Sequence, residues 1–280
     1  MNYVELNNGV KMPNVGIGTF MLQPSDAENS VREALKMGYR LIDTANAYVN
    51  ERAVGRGIKA SGVPREEIFV STKLWPTEYE NENAIDETLE RLGLDYIDLL
   101  FLHQPGGNYK AGYKQLEKAY KEGKIKAIGI SNFEDEFIKD ILNTCEIKPQ
   151  VNQVECHPYF QQENLRKITD LENIKIMCWY PLGHGDKSLM EESIVTELAT
   201  KYNKSAAQII LKWHIQMGFI VIPGSKNVDH IRDNFDILDF ELTEEEMNKI
   251  SSLNKNHRYY YPSMEQLKEF AKMQPEYEKE

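Results

Sequence analysis

A carboxylate, an ammonium and an imidazole each close a short apolar run in this chain. Leu41-Ile42 ends in Asp43, Phe69-Val70-Ser71-Thr72 ends in Lys73, and Leu99-Leu100-Phe101-Leu102 ends in His103. Other runs finish in Ser131-Asn132, in Asn152-Gln153 with Glu155, in Trp179, and just ahead of Ser225-Lys226. Side chains of these types hold or pass protons and stabilise the charge left behind. Taken singly, each has an ordinary reading. An Asp or Lys after a strand is usually solvated, and a His there is usually a hydrogen-bonded rim residue. The weight lies in their coincidence. If the runs are strands ending on one side of one sheet, their polar ends converge on one rim, as a site requires.

The runs themselves are Val15–Gly18, Leu41–Asp43, Phe69–Lys73, Ile97–His103, Ala127–Ser131, Val151–Glu155, Lys175–Trp179 and Phe219–Ile222. Between them the apolar residues take helical spacing, as in Val31, Ala34 and Leu35, or Ile85, Leu89 and Leu92. Ser25-x-x-Glu28, Thr77-x-x-Glu80, Ser205-x-x-Gln208 and Thr243-x-x-Glu246 have the form of capping boxes. Gly38, Gly93, Gly123 and Gly218 stand where helices should stop. Asn7-Asn8-Gly9 between Val4–Leu6 and Val10–Met12 predicts an N-terminal β-hairpin. Eight strands alternating with helices predict a parallel sheet, and eight is the number that closes into a barrel. The competing fold is an open doubly wound sheet. Its glycine fingerprint is incomplete, because Thr19, Phe20 and Met21 follow Gly16-Ile17-Gly18. We read that Gly-x-Gly as a tight strand-to-loop turn. The expected fold is thus α/β, a single (β/α)8 TIM barrel over residues 1–280, with its site at the C-terminal strand ends.

Composition narrows the function. The 280 residues are 41% hydrophobic and 28% charged, enough for a large core under a polar surface. A net charge of -11 argues against a general nucleic-acid binder. The opening residues show no secretory signal, and the most apolar run, Ile97–Leu102, contains Asp98 and is too short to span a bilayer. No membrane association is expected. Cys145, Cys156 and Cys178 are odd in number and widely spaced. They predict neither a disulfide framework nor a zinc pair, and fit a reducing cytoplasm.

With these residues in place, the chain resembles the aldo-keto reductase family. Asp43-Thr-Ala-Asn-Ala-Tyr48-Val-Asn-Glu51 is similar to the family stretch around its aspartate and tyrosine. Ser71-Thr-Lys73-Leu-Trp75 resembles the lysine motif and Leu99-Leu-Phe-Leu-His103 the histidine motif. Gly129-Ile-Ser-Asn-Phe133 and Val151-Asn-Gln-Val-Glu-Cys-His-Pro158 resemble two cofactor-side motifs. The likeness runs from the hairpin to about Asn234.

The resemblance implies reversible, metal-free reduction of aldehydes or ketones by NAD(P)H. Hydride transfer to a carbonyl carbon builds negative charge on its oxygen, which needs a proton donor and stabilising dipoles. Tyr48 is the donor this implies. A phenol near its ordinary pKa of about 10 is a poor acid at neutral pH, so Lys73 is expected to draw it down by roughly 1–3 pH units. Asp43 would hold Lys73, and His103 would hydrogen-bond the carbonyl oxygen. Gly18, Thr19, Phe20 and Asp43 fall on the cofactor side. Ser131, Asn132 and Gln153 match carboxamide contacts, and Trp179 stands where a stacked tyrosine is usual. Tyr180 replaces a small residue and is expected to narrow the site or meet a phosphate. Pro181 and Leu182 continue the loop over the pyrophosphate. After Ile222-Pro223 the family often has a lysine, and an arginine six residues on, both gripping a 2′-phosphate. Gly224 and His230 stand there instead. Ser225, Asp233 and Asn234 match, with Asn227 between them. Lys226 and Arg232, and the N-terminus of a helix starting near Val228, are expected to supply the missing charge. NADP(H) is favoured on this basis, with NAD(H) the alternative.

The substrate pocket is expected to involve Phe20, Tyr48, Trp75, His103 and Gln104, the last in a position that tends to be aromatic in the family. The C-terminal segment with Tyr259-Tyr260-Tyr261 would fold as a loop over the mouth or pack as ordinary wall. Small aldehydes, ketones, dicarbonyls or sugars suit such walls, in a monomer or weak dimer. Two other classes are weighed: a non-catalytic cofactor-binding module, and a metal-dependent barrel hydrolase using His103, His157, Asp43 and Glu155.

Overall fold

The computed structural model describes residues 2–279. Asn7-Asn8-Gly9 turns an antiparallel hairpin of β1 (Tyr3–Glu5) and β2 (Lys11–Pro13). Gly9 takes a φ of 83°, a conformation cheap for glycine alone, and Leu6 N–H reaches Val10 C=O at 2.9 Å. The eight runs then appear as β3 (Ile17–Gly18), β4 (Leu41–Asp43), β5 (Phe69–Leu74), β6 (Leu99–Leu102), β7 (Ile128–Ser131), β8 (Val151–Glu155), β9 (Lys175–Trp179) and β10 (Ile220–Val221). They pair in parallel and in chain order. The ring is closed from β10 back to the segment of β3. Gly16 N–H donates to Val221 C=O at 2.8 Å, Val221 N–H donates to Asn14 C=O at 3.0 Å, and Gly18 bridges Gly224.

Helices fill the connections: α1 (Pro24–Lys36), α2 (Glu51–Ser61), α3 (Ala84–Leu92), α4 (Tyr109–Lys121), α5 (Asp135–Thr144) and α6 (Glu163–Leu171). The short α7 (Lys187–Met190), then α8 (Ser193–Tyr202), α9 (Ala206–Gln216), α10 (Val228–Phe235), α11 (Glu244–Ser251) and α12 (Met264–Phe270) complete the set. Among the described residues, no helix is long and apolar enough to cross a membrane. The four glycines expected to end helices all have positive φ, between 64° at Gly93 and 107° at Gly38. Ser205–Gln208 and Thr243–Glu246 form capping boxes, and so does Ser263–Gln266 at the head of α12. The other two expected boxes do not form. α1 starts earlier, at Pro24, whose fixed φ suits a first helical position. Thr77 lies in a 3-10 turn at Pro76–Glu78, ahead of α3.

The period of two along each strand decides what faces inward. Leu41, Phe69, Leu99, Phe101, Ala127, Val151, Met177, Ile220 and Ile222 form one buried cluster inside the ring. Leu6 and Met12 of the hairpin belong to it and close the end where the strands begin. The alternate residues, such as Ile42, Val70, Leu100, Ile128 and Val154, form a second cluster under the helices. Glycines let the inner layer fit. A Cβ on Gly129 would stand 2.2 Å from the Phe101 ring. Gly16 and Gly18 do not make the expected turn. Neither takes a positive φ, Gly18 lies within β3, and a Cβ would meet the Leu41 side chain at 2.4 Å from Gly16 and the Ile222 carbonyl oxygen at 2.8 Å from Gly18. Their lack of side chains serves the closure of the ring.

Candidate active site

Asp43, Lys73, His103, Ser131, Gln153 and Trp179 share the inward parity and sit above the apolar plug. Lys73 is wholly buried, with Nζ 2.6 Å from Asp43 Oδ2 and donating to Thr44 C=O at 2.7 Å. Asp43 is 2% exposed, and its other oxygen accepts from Ser71 Oγ at 2.8 Å and Gln153 Nε2 at 3.0 Å. A buried ion pair is tolerable only when the remaining valences are met like this. Burial pushes the Lys73 ammonium below its ordinary pKa, and the Asp43 carboxylate opposes that push.

Tyr48 ends a 3-10 turn, Asn46–Tyr48, after β4. Its ring lies 4.9 Å from Lys73 Nζ, 5.0 Å from the Phe20 ring and 5.6 Å from the His103 ring. Two asparagines fix this turn. Asn46 Oδ1 accepts from Trp75 N–H at 3.0 Å. Asn50 is buried, donates to Thr19 C=O and Leu22 C=O, and accepts from the Thr44 and Thr19 hydroxyls. It ties the loop carrying Phe20 to the loop carrying Tyr48. Neither asparagine was singled out from the sequence, since an Asn in a turn has no distinctive spacing.

The expected lowering of the Tyr48 pKa is not what the site does. Burial pushes the phenol well above its ordinary value, and Asp43 adds to the rise. The Lys73 charge is already committed to Asp43 and Thr44. Tyr48 therefore keeps its proton at neutral pH. His103 shifts the other way: burial first, then Lys73, hold it well below the ordinary imidazole range. It is neutral at neutral pH, with one ring N–H to donate. Its Nδ1 is buried without a partner.

These groups open on a cavity of about 690 Å³. Gly18, Phe20, Asp43, Tyr48, Trp75, His103, Gln104, Ser131, Asn132, Gln153, Trp179, Tyr180, Pro181 and Leu182 line it, as expected. Trp179 is held by its Nε1–H to Asn132 Oδ1 at 3.0 Å, and Asn132 in turn donates to His103 C=O at 3.2 Å. Thr19 is buried behind the wall, its hydroxyl bonded to Asp43 C=O. Ser225, Lys226, Asn227, His230, Asp233 and Asn234 stand outside this cavity, beyond Pro223 and Gly224 at its edge. Lys226 Nζ is 3.6 Å from Asp26, and Arg232 pairs with Asp229 at 2.7 Å. Asn227 Oδ1 caps α10, accepting from Asp229 N–H and His230 N–H, so those amides already have a partner. Gly224 has its own cause: a Cβ there would crowd the Gly18 carbonyl oxygen at 3.0 Å.

Residues far along the chain also line the cavity, among them Met190, Tyr260 and Met273. Glu155 anchors this C-terminal segment. It is fully buried and accepts from Tyr259 N–H at 2.6 Å and Tyr260 N–H at 3.0 Å, beside His157 Nε2 at 3.0 Å. Of the tyrosine run, Tyr260 faces the cavity, Tyr259 bonds Asp186 and Tyr261 is exposed. At the end of α12, Trp75 Nε1–H donates to Phe270 C=O at 3.0 Å, and beyond it Glu278 accepts from Ala53 N–H and pairs with Arg56. The segment does cross the mouth. Glu155 and Asp43 are thereby committed to amides and to Lys73. His103, His157, Asp43 and Glu155 do not gather as a metal-binding group among the described residues.

Comparison with known proteins adds independent findings. The sequence model of the Aldo/keto reductase family matches residues 14–255. A 9,11-endoperoxide prostaglandin H2 reductase of Trypanosoma cruzi is 46% identical, covering 92% of this chain and 93% of the relative. A glyoxal reductase of Bacillus subtilis is 47% identical, covering 91% and 94%. Among solved structures, MGS-M4, an aldo-keto reductase enzyme from a deep-sea metagenome library, superposes with a TM-score of 0.89 at 42% identity, covering 93% of this chain and 97% of that one. A Bombyx mori aldo-keto reductase in complex with NADP gives 0.86 at 36% identity, covering 92% and 94%.

Proposed function

The chain belongs to the aldo/keto reductase family, and from that premise we propose that Asp43, Tyr48, Lys73 and His103 carry out its NAD(P)H-dependent reduction of aldehydes and ketones. The observation that carries this assignment is the buried Lys73–Asp43 pair beneath Tyr48, with Tyr48 and His103 on one cavity wall. The residues present fit a nicotinamide dinucleotide. The cavity runs from Tyr48 past the Trp179 indole to Pro181, Leu182 and the side-chain-free edge at Gly18 and Gly224. Trp179, Ser131, Asn132 and Gln153 would hold its nicotinamide end. When bound, that group supplies the hydride.

The chain's own residues do the rest. His103 donates a hydrogen bond to the carbonyl oxygen and orients it. Tyr48 holds the proton at its phenol oxygen until alkoxide character develops, then releases it. The buried Lys73 ammonium stabilises the phenolate left behind, in surroundings where charge is poorly screened. Asp43 keeps Lys73 charged and in place. The test is NADPH oxidation on a panel of carbonyls with the native chain and Tyr48→Phe. Loss of the donor should lower kcat by about 10²–10⁴ while cofactor affinity is kept. Substantial residual turnover would overturn the assignment.

For the cofactor, NADP(H) is the reading we favour, supported by the NADP-bound Bombyx mori relative and by Lys226 and Arg232 just past the cavity edge. Their pairing with Asp26 and Asp229 makes the extra grip on a 2′-phosphate modest. NADPH should bind more tightly than NADH, and Lys226→Ala should weaken NADPH alone. Equal affinities would leave Lys226 without this role.

A further inference from the structure

Two thiols and an imidazole that the reduction chemistry does not use meet on the outer side of the barrel wall. Cys156 follows β8, Cys178 lies in β9 and His214 lies in α9. All three are fully buried, and the two sulfurs and a ring nitrogen of His214 lie within 4.8 Å of one another. Both cysteines belong to the apolar cluster under the helices, with Val154, Ile176 and Ile210. Their spacing in the chain predicts no zinc pair. The donors come together only where α9 packs over these strands.

The histidine is held as a ligand is held. Nδ1 stands 2.8 Å from Ile210 C=O, one turn back in the same helix, and Nε2 stands 3.1 Å from Cys156 C=O. A neutral imidazole carries one N–H, so it can serve only one of these carbonyls. The shorter contact takes the proton. Nε2 is left with a lone pair beside Cys156, facing a carbonyl oxygen to which it has nothing to donate. A backbone carbonyl on the other ring nitrogen is the usual support of a metal-bound histidine. Hydrogen bonds link the Cys156 thiol to Cys178 and to His214, and thiol protons are what an incoming metal ion displaces.

A disulfide does not suit the pair. Val154 stands opposite Cys178 in the β8–β9 register, and Cys156 N–H continues that pairing to Trp179 C=O at 3.3 Å. Cys156 is therefore two residues beyond the position facing Cys178. With a rise of about 3.3 Å per residue and strands about 4.8 Å apart, the two Cα atoms are roughly 8 Å apart, outside the roughly 4.4–6.8 Å that a disulfide spans. A metal ion suits it better. Donors bonded at about 2.0–2.3 Å to a zinc-class ion stand roughly 3.5–4 Å from one another. Two thiolates and a divalent cation sum to no net charge, as burial in an apolar layer demands. Sulfur and imidazole donors select thiophilic ions over magnesium or calcium.

We propose that Cys156, Cys178 and His214 form a structural site for one divalent thiophilic metal ion of the zinc and cadmium class, which clamps β8 and β9 to α9. The Cys156 carbonyl oxygen, beside Nε2, is the fourth donor within reach. Binding releases the two thiol protons and leaves two thiolates on the ion. The ion takes no part in the reduction, so the inference is independent of the reductase reading.

The test uses the full chain with cadmium ion as the probe, under a thiol-free reductant. The ion is added to the native chain. In a second preparation the chain is synthesised in a culture containing it, so that slow entry to a buried site is not mistaken for the lack of one. About one cadmium per chain should survive gel filtration, with a thiolate-to-metal charge-transfer band in the ultraviolet. The melting temperature should rise by about 5 °C at a hundredfold excess of free ion over Kd. X-ray absorption at the cadmium edge should show two sulfur ligands. Cys145→Ser, which alters the half-buried cysteine outside the cluster, should keep the band. Cys156→Ser and Cys178→Ser should each weaken binding by more than the about 10–100-fold that loss of a supporting hydrogen bond costs. No cadmium retained in either preparation overturns the site. So does a band that vanishes in Cys145→Ser, or a ligand set without two sulfurs. The absorption measurement is made on the native chain, so it decides the matter whether or not the cysteine variants fold.

Discussion

At the scale of residues, the site is a charged pair that cannot be separated cheaply. Lys73 and Asp43 are both buried, so removing one leaves the other charge without compensation, a loss of about 3–5 kcal/mol. Lys73→Met should therefore lower both stability and kcat. Combining it with Asp43→Asn should recover stability but not activity. Recovery of both would show that the pair serves folding alone. The shifts at Tyr48 and His103 set a pH profile. Reduction needs the phenol protonated, a condition present below its pKa and lost above it. Because that pKa is raised, kcat should stay flat upward to at least about pH 10. His103, shifted down, stays neutral well into mild acid. A fall in kcat between about pH 7 and pH 9, with cofactor saturating, would mean the proton donor is another group. Asp43, Lys73 and His103 were legible in the sequence because each closes a short apolar run, at the strand ends where a barrel carries its site. Tyr48 was not, since it sits in a turn with no periodicity, and only the family resemblance singled it out. Its pKa direction was misread because Lys73 was considered without the desolvation that burial imposes.

At the scale of elements, two buried side chains tie loops that local sequence leaves free. Asn50 makes four hydrogen bonds, three to Thr19 and Leu22 of the Phe20 loop and one to Thr44 ahead of the Tyr48 turn. Asn50→Ala should cost about 2–4 kcal/mol, at roughly 1 kcal/mol per buried bond, and lower kcat by loosening Tyr48. A thermal melt alongside steady-state kinetics checks both, and an unchanged kcat would remove Asn50 from the positioning of the donor. Glu155 fastens the backbone of Tyr259 and Tyr260, over a hundred residues ahead in the chain. Glu155→Gln should raise KM and expose the segment after α11 to limited proteolysis, with the barrel left intact. Resistance equal to the native chain would show that the other anchors, at Trp75 and Ala53, suffice. Such ties join positions distant in sequence, so motif spacing could not reveal them. The same holds for Met273 in the cavity wall. The missing caps at Ser25 and Thr77 teach the converse. A four-residue pattern proposes a helix start, and Pro24 or a preceding turn can displace it.

At the scale of the whole molecule, the order and parallel sense of the strands followed from their alternation with helices. So did closure, since eight such strands make a barrel; the seam itself, with Gly16 against Val221 and Gly18 against Gly224, is a contact no local pattern encodes. The interior also stores a response to alkali. Tyr39, Tyr48, Tyr79 and Tyr113 all have phenols raised by burial. A raised folded pKa gives stability that is complete below the unfolded value of about 10 and is lost as pH climbs past it. Unfolding should set in steeply above about pH 10, with tyrosinate absorbance rising in the same transition as loss of helix. Tyrosinate appearing well before unfolding would mean these rings are reachable while folded.

The hairpin stopper has a consequence for traffic. With Leu6 and Met12 filling one end, the barrel is a cul-de-sac: whatever enters past Trp75 and Tyr260 must leave by the same doorway. On the reductase reading, dinucleotide and carbonyl compound would share a single lane. On that reading, product would have to clear the doorway before the next molecule could reach Tyr48.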